Sequence, residues 1–248
     1  GLQLTAVFIT NTLSKFPTLA LSLNDVCCFI PAWFGALASG LTGMITYTVT
    51  SNLSASVFAT GIMAIIPAHL MRSIGGGYDN ESIALTAMLL TFYCWLRAVG
   101  SSKKITLTGI FWGVLTGFSY IYMVAAWGGY VFVLNMIGVH ACGCILTGKY
   151  SKNLWAVYSL FYVIGTAGAI QIPVVGMTPL RSLEQLGPFA AFAGFQVIFI
   201  AEHLVSKGGL KGMSAIKKRA TVYTIFTLVG IIAVMMIAPT GYFGPLSS

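Results

Sequence analysis

Acidic side chains are scarce in this chain: five in 248 residues, against thirteen lysines and arginines. Charged residues of both signs make up 7% of the sequence, where a soluble domain carries about a quarter, so an ordinary water-soluble fold is excluded. Cysteine is too sparse for a disulfide framework. Cys27, Cys28, Cys94, Cys142 and Cys144 lie in or beside apolar runs, where free cysteine behaves as a small hydrophobe. His140-Ala141-Cys142-Gly143-Cys144 invites a soft-metal reading. At about 100° per residue, however, Cys142 points away from the face shared by His140 and Cys144, which favours helix packing. Internal repeats are not evident. Gly1 to Ala20 lacks a charged leading segment and a small-residue cleavage site, so it is not read as a signal peptide. It is expected to be a loop or interfacial helix whose upstream partner is missing.

What the chain has in abundance is apolar surface. Hydrophobic residues make up 57% and mean hydropathy is +0.89, which specifies an all-α, polytopic membrane protein. Apolar runs predict about eight transmembrane helices, near Val26 to Val49, Leu53 to Leu70, Ile83 to Leu96, Ile105 to Met123, Gly128 to Leu146, Leu154 to Val175, Phe189 to Leu204 and Val222 to Ala238. Several are shorter than the roughly 20 residues of a full crossing. Ala36, Gly40 and Gly43 in one run suggest close helix approach. Pro173 and Pro179 are expected to loosen or end a helix.

If the spans alternate, Arg97, Lys103, Lys104, Lys149, Lys152, Lys207, Lys211, Lys217, Lys218 and Arg219 fall on one side. Those ten basic residues mark it as cytoplasmic by the positive-inside bias. The Lys211 to Arg219 cluster is read as part of that signal, with lipid headgroup binding as the lesser use. Lys15, Arg72, Arg181 and four of the five acids, Asp25, Asp79, Glu81 and Glu184, share the other side. The formal charge of +8 thus needs no nucleic acid to explain it.

Two of those acids sit in a polar island, Met71-Arg72-Ser73-Ile74-Gly75-Gly76-Gly77-Tyr78-Asp79-Asn80-Glu81-Ser82, between two apolar runs. Carboxylates at a membrane boundary are costly unless solvated, paired or bound to a cation. Three glycines permit φ-positive turns that would aim Asp79 and Glu81 at one point. A hard divalent ion, Mn²⁺ or Mg²⁺, suits such a pair, since it takes one or two protein carboxylates and leaves positions for phosphate and water. His69 is expected to be packed or interfacial, at the edge of this site. Asn80-Glu81-Ser82 and Asn52-Leu53-Ser54 match the glycosylation acceptor pattern. The first lies inside the island and the second in a tight cytoplasmic turn, so neither is expected to be modified.

Arg72-Ser73-Ile74-Gly75-Gly76-Gly77-Tyr78-Asp79-Asn80-Glu81 resembles the second acidic motif of the catalytic subunit of eukaryotic oligosaccharyltransferase, usually R-S-x-(A/G)-G-x-Y-D-N-E. Asn24-Asp25-Val26-Cys27-Cys28-Phe29 resembles that family's R-(D/N)-V-C-V-F, with Asn24 standing where arginine is usual. The segments 123–132 and 171–179 also resemble the family at about the expected separations, so the likeness covers nearly the whole chain. It implies part of a GT-C type glycosyltransferase membrane domain. The activity implied is transfer of a preassembled oligosaccharide from dolichyl pyrophosphate to asparagine in N-x-S/T, with inversion.

The resemblance further implies that Asp79 and Glu81 belong to the metal site and that Arg72 stands beside it. Trp127, Tyr130 and Arg181 are the candidate substrate contacts; a place in the interfacial aromatic belt is the plainer use of Trp127 and Tyr130, and pairing with Glu184 that of Arg181. Implied partners are a lipid-linked donor, a nascent polypeptide, other oligosaccharyltransferase subunits and membrane lipid, at the endoplasmic reticulum with the site lumenal. Residues 1–248 are expected to form a single transmembrane domain of a longer protein. The first span, the first lumenal loop with its acidic motif, and the soluble C-terminal domain with the W-W-D motif are missing from it, as is an S-V-S-E segment. The segment 242–248 resembles the lead into a large lumenal loop. Turnover by these residues alone is not expected. Rival readings are another polyprenyl-phosphate-dependent glycosyltransferase, a cation-coupled transporter and a noncatalytic scaffold.

Overall fold

A computed structural model describes residues 1–16, 20–100 and 102–237; Ala238 and the segment 242–248 lie outside the described residues. The chain is a helical bundle with no strand among those residues. In order come α1 (Leu2–Leu13), α2 (Leu23–Thr50), α3 (Leu53–Ile65), α4 (Pro67–Ser73), α5 (Asn80–Gly100), α6 (Leu107–Ala126), α7 (Tyr130–Leu146) and α8 (Lys152–Ile170). They are followed by α9 (Thr178–Arg181), a single 3-10 turn at Leu183–Gln185, α10 (Leu186–Lys207) and α11 (Gly212–Ile237).

Polar residues flanking the apolar runs set the helix starts. Ser22, Asn52, Thr106 and Ser151 are extended N-caps whose side chains accept from the backbone N–H of Asp25, Ala55, Gly109 and Leu154, satisfying a donor that the helix leaves open. Inside the helices, threonine and serine hydroxyls turn back onto carbonyls. Thr91 donates to Ala87 at 2.7 Å, Thr116 to Trp112 at 2.7 Å and Thr42 to Ala38 at 3.0 Å. Such internal satisfaction is what a hydrocarbon surround demands.

Among the described residues, each of the eight apolar runs lies mainly on helix. Five helices among the described residues are long and apolar enough to cross a membrane by themselves, and α3 with α4 makes a sixth if the pair is one span. That pair is not the single straight helix expected over Leu53 to Leu70: it bends by 62°. Pro67 has no N–H to continue the ladder, and Ile66 before it is extended, with φ −63° and ψ 126°. The remaining runs lie on α7, an apolar helix of 17 residues, and on α11, which carries Lys217, Lys218 and Arg219 in its first half. The α8 helix stops at Ile170, before Pro173. The N-terminal stretch is the helix α1, joined to α6 by a hydroxyl contact between Thr5 and Tyr122 at 2.9 Å.

The main core lies among α5, α6, α7, α8 and α10, where Trp95, Tyr120, Tyr158, Phe161 and Phe195 are buried. Small residues let the helices close. A Cβ at Gly165 of α8 would stand 2.7 Å from the Tyr120 ring of α6, and one at Gly117 of α6 would stand 2.8 Å from Ile164 of α8. In α2 the expected small-residue stripe works at Gly43, where a Cβ would overlap Thr60 of α3. Gly40 faces open space. His140 takes a hydrogen bond on Nδ1 from the Trp95 indole at 3.1 Å, a packing role in line with the reading against a soft-metal centre.

The connectivity gives the bundle two chemically distinct ends. The first turns of α2, α5 and α7 and the last of α4 and α6 form the acidic end. The loops after α5, α7 and α10 and the helix turns beside them carry the lysines and arginines of the basic end, where the fifth acid, Glu202, pairs with Arg219 at 2.9 Å.

Candidate active site

At the acidic end, α4 is a seven-residue helix whose last turn carries Arg72. Two contacts with α2 hold it. His69, buried, brings Nε2 to 3.1 Å from the carbonyl of Gly35, and a Cβ at Gly35 would overlap Ser73. The chain then turns through the glycine run. Gly76 takes φ +89°, a backbone that only glycine adopts cheaply, and its N–H donates to the Cys28 carbonyl of α2 at 2.9 Å. This docks the loop on α2 and delivers Asp79 and Glu81 to the start of α5. Of the three glycines, only Gly76 has positive φ.

Both carboxylates reach one guanidinium. Glu81 Oε2 lies 2.6 Å from Arg72 Nε, and Asp79 Oδ2 lies 3.9 Å from Arg72 Nη1. Asp79 Oδ1 also accepts from the Asn80 backbone N–H at 2.6 Å. All three side chains are open to solvent, Arg72 and Asp79 more than half and Glu81 by 37%. Beside them the Tyr78 hydroxyl is pushed up to about 12, by desolvation first and by its bond with Cys27 second. Asp25 is used differently. Its carboxylate accepts from the Ser22 hydroxyl at 2.6 Å and closes the cap of α2.

The carboxylates open onto two hollows. Glu81, with Arg72 and Trp127, lines a cavity of about 250 Å³. Ala68 with Arg72 on α4 and Glu81 with Leu85 on α5 each lie one turn apart on one helix face; Ala84, Met88, Met123 and Trp127, the extended residue that ends α6, complete the wall. Asp79 lines a wider hollow of about 560 Å³ with Tyr78, Asn80 and Gln3. The first cavity is apolar with an ionic rim; the second is mostly polar.

Four expected site residues, Arg72, Asp79, Glu81 and Trp127, are therefore gathered at this end. Two are not. Tyr130 is turned inward at 6% exposure, its ring against Tyr120 and its hydroxyl accepting from the Gln185 amide at 3.3 Å. Its place at the start of α7 suggested a surface aromatic, and the buried glutamine partner was not legible in the sequence. Arg181 is exposed at the end of α9 and lines neither hollow among the described residues. Met88 and Leu85 went unnoticed as lining residues, although their spacing from Glu81 already places them on its face.

The donor set suits a hard cation in part. Two carboxylate oxygens share one positive neighbour, but no cluster of three or more His, Cys, Asp and Glu exists among the described residues. A divalent ion here would take two protein ligands from Asp79 and Glu81 and fill its other positions with groups from outside these residues, as Mg²⁺ and Mn²⁺ commonly do.

The chain is similar to known proteins in sequence and in fold. Residues 2–247 match the family model described as oligosaccharyl transferase STT3, N-terminal. The dolichyl-diphosphooligosaccharide–protein glycosyltransferase subunit STT3 of Saccharomyces cerevisiae is 38% identical over 203 residues, covering 80% of this chain and 27% of the yeast protein. In structure, the chain is similar to Archaeoglobus fulgidus oligosaccharyltransferase crystallised with zinc and sulfate. The TM-score is 0.67 at 20% identity, covering 96% of this chain and 32% of the archaeal one. It is also similar to archaeal AglB in complex with an inhibitory peptide and a dolichol-phosphate, with a TM-score of 0.61 at 19% identity, covering 93% of this chain and 29% of that one. The expected GT-C type architecture is thus present, and the chain spans about a third or less of the length of these proteins.

Proposed function

The chain belongs to the oligosaccharyl transferase STT3 family, and we propose that it forms the membrane-embedded part of an enzyme that moves a preassembled oligosaccharide from dolichyl pyrophosphate to asparagine in N-x-S/T sequons. Residues 1–248 are read as one membrane domain of that larger enzyme. The observation that carries the proposal is the meeting of a Trp127-rimmed apolar cavity with Glu81, Asp79 and Arg72 at the bundle end opposite the basic loops. An amphiphilic donor needs that juxtaposition.

In this reading Leu85, Met88 and Met123 give the polyprenyl chain an apolar wall, and Trp127 marks the headgroup depth where indoles partition. Arg72, whose guanidinium is more than half exposed, presents planar N–H donors suited to phosphate oxygens. The reaction breaks the bond between the first sugar carbon and its phosphate oxygen, which leaves with the electron pair as dolichyl pyrophosphate, and forms one to the asparagine amide nitrogen, whose proton passes to solvent water. Asp79, facing the more polar hollow, accepts a hydrogen bond from that amide N–H and orients it. Glu81 holds Arg72 in place through its 2.6 Å contact. Mn²⁺ or Mg²⁺, held by Asp79 and Glu81, would supply positive charge to stabilise the departing pyrophosphate. In the endoplasmic reticulum membrane, the setting this reading assigns, the positive-inside bias would make the basic end cytoplasmic and the acidic end lumenal. The AglB complex with an inhibitory peptide and a dolichol-phosphate supports a lipid donor and a peptide acceptor. Other oligosaccharyltransferase subunits are the expected partners.

The test is transfer by the full-length enzyme from lipid-linked donor to a fluorescent acceptor peptide, with these 248 residues assayed alongside. Turnover should require the full-length protein and divalent cation. Turnover by the 248 residues alone would overturn the division of labour proposed.

A further inference from the structure

At the opposite end of the bundle, a second cavity of about 350 Å³ opens between α2, α5 and α6. It plays no part in the proposed transfer chemistry. Arg97 lies sixteen residues beyond Glu81 on α5, which at 1.5 Å per residue separates the two ends by about 24 Å. Thr48 of α2, Gly100 of α5, and Thr106, Thr108 and Trp112 of α6 complete the wall with Arg97.

Three observations make this cavity an anion site. First, the guanidinium of Arg97 stands over the Trp112 ring, 5.3 Å from its centroid. Such a cation–π contact uses the charge of the guanidinium and not its N–H donors. Second, no carboxylate pairs with Arg97 among the described residues. Arg72 is held by Asp79 and Glu81, and Arg219 by Glu202. Third, Thr48, Thr106 and Thr108 line it; the Thr48 hydroxyl donates to the Met44 carbonyl at 2.8 Å and that of Thr106 accepts from Gly109 N–H at 3.1 Å, which leaves the Thr108 hydroxyl to donate to a ligand. Arg97 lies in the last turn of a span-length apolar helix, at its basic end, and the hollow is of the size that holds small ligands.

We propose that this cavity binds a phosphate group, that of an anionic phospholipid in the leaflet on the basic side. Arg97 grips the phosphate oxygens edge-on, Trp112 fixes the guanidinium plane, and Thr108 donates a hydroxyl. Inorganic phosphate is the other source of the same chemistry.

Native mass spectrometry of the full chain purified in detergent separates these cases, with phosphatidylinositol, phosphatidylcholine and inorganic phosphate added in turn. Phosphatidylinositol should be retained in preference to phosphatidylcholine. Arg97→Gln should weaken it by roughly tenfold, the loss expected for a charged hydrogen-bonding partner. Arg97→Lys should keep part of the binding and Thr108→Val should lower it a few-fold with the melting temperature unchanged, so a poorly folding Arg97→Gln leaves two readings of the site. Lys103→Gln with Lys104→Gln removes nearby charge outside the cavity wall and should have little effect. Displacement of the lipid by millimolar phosphate would support the phosphate site and assign the soluble source. Equal retention of phosphatidylcholine, unchanged binding in Arg97→Gln, or an equal loss in the lysine pair would overturn the proposal.

Discussion

Arg72 Nε and Glu81 Oε2 stand 2.6 Å apart, while the same guanidinium lies 3.9 Å from Asp79 Oδ2. One cation therefore holds two of the chain's five acids at a single point. Being largely solvent-exposed, these pairs contribute little to stability, since exposed ion pairs are worth about 1 kcal/mol or less. Asp79→Ala and Glu81→Ala in the full-length enzyme should each lower transfer by about 100-fold or more, the size seen on removing one preorganised charge-stabilising group. The response to Mn²⁺ should flatten while the melting temperature barely moves. Normal transfer in both variants would remove the metal assignment.

Arg72 and a divalent cation would draw on the same oxygens. In Arg72→Ala the two carboxylates lose their counter-charge, so half-maximal activation should come at lower Mn²⁺ while the maximal rate falls. A titration of activity against Mn²⁺ reads both quantities. An unchanged midpoint would mean that the arginine and the ion do not compete.

Gly35 controls Arg72 from a distance. A methyl at Gly35 would run into Ser73, one residue after Arg72 and on the helix that His69 anchors to the Gly35 carbonyl. Gly35→Ala should cost about 1 to 3 kcal/mol, the usual range for overpacking, and should lower kcat by moving α4. Gly40→Ala, on the same helix with nothing within 4 Å, should change stability by no more than about 0.5 kcal/mol. Thermal melts and rates of both variants check the contrast.

Much of this was written in the sequence. Apolar runs marked where helices lie because lipid leaves the backbone no other partner, and the scarcity of acids drew attention to Arg72, Asp79 and Glu81. The break at Pro67 was missed because a hydropathy run is blind to backbone geometry. Proline read as a helix stop at Ile66 would have found it. The burial of Tyr130 was illegible for a different reason: an aromatic at a helix start looks the same in sequence whether it anchors at a headgroup or packs in a core, and the buried Gln185 that meets it lies 55 residues away. The slot beside Trp127 combines α4, α5 and α6, a juxtaposition that no single periodic pattern contains.

Tyr78 offers a test by pH. Its hydroxyl is raised from an ordinary 10 to about 12, first by desolvation and then by Cys27, so the folded chain holds this proton more tightly than the unfolded chain does. The resulting stability is fully present below pH 10 and is lost as pH climbs toward 12. Part exposure of the ring, 37%, keeps the effect small. Other tyrosines ionise in the same range, which makes the difference between wild type and Tyr78→Phe the informative quantity. Phenylalanine keeps the ring and has no proton to lose, so the variant's melting temperature should fall less steeply between pH 10 and 12. Parallel slopes for the two proteins would show that the loop carrying Asp79 leaves the Tyr78 hydroxyl as free as it is in water.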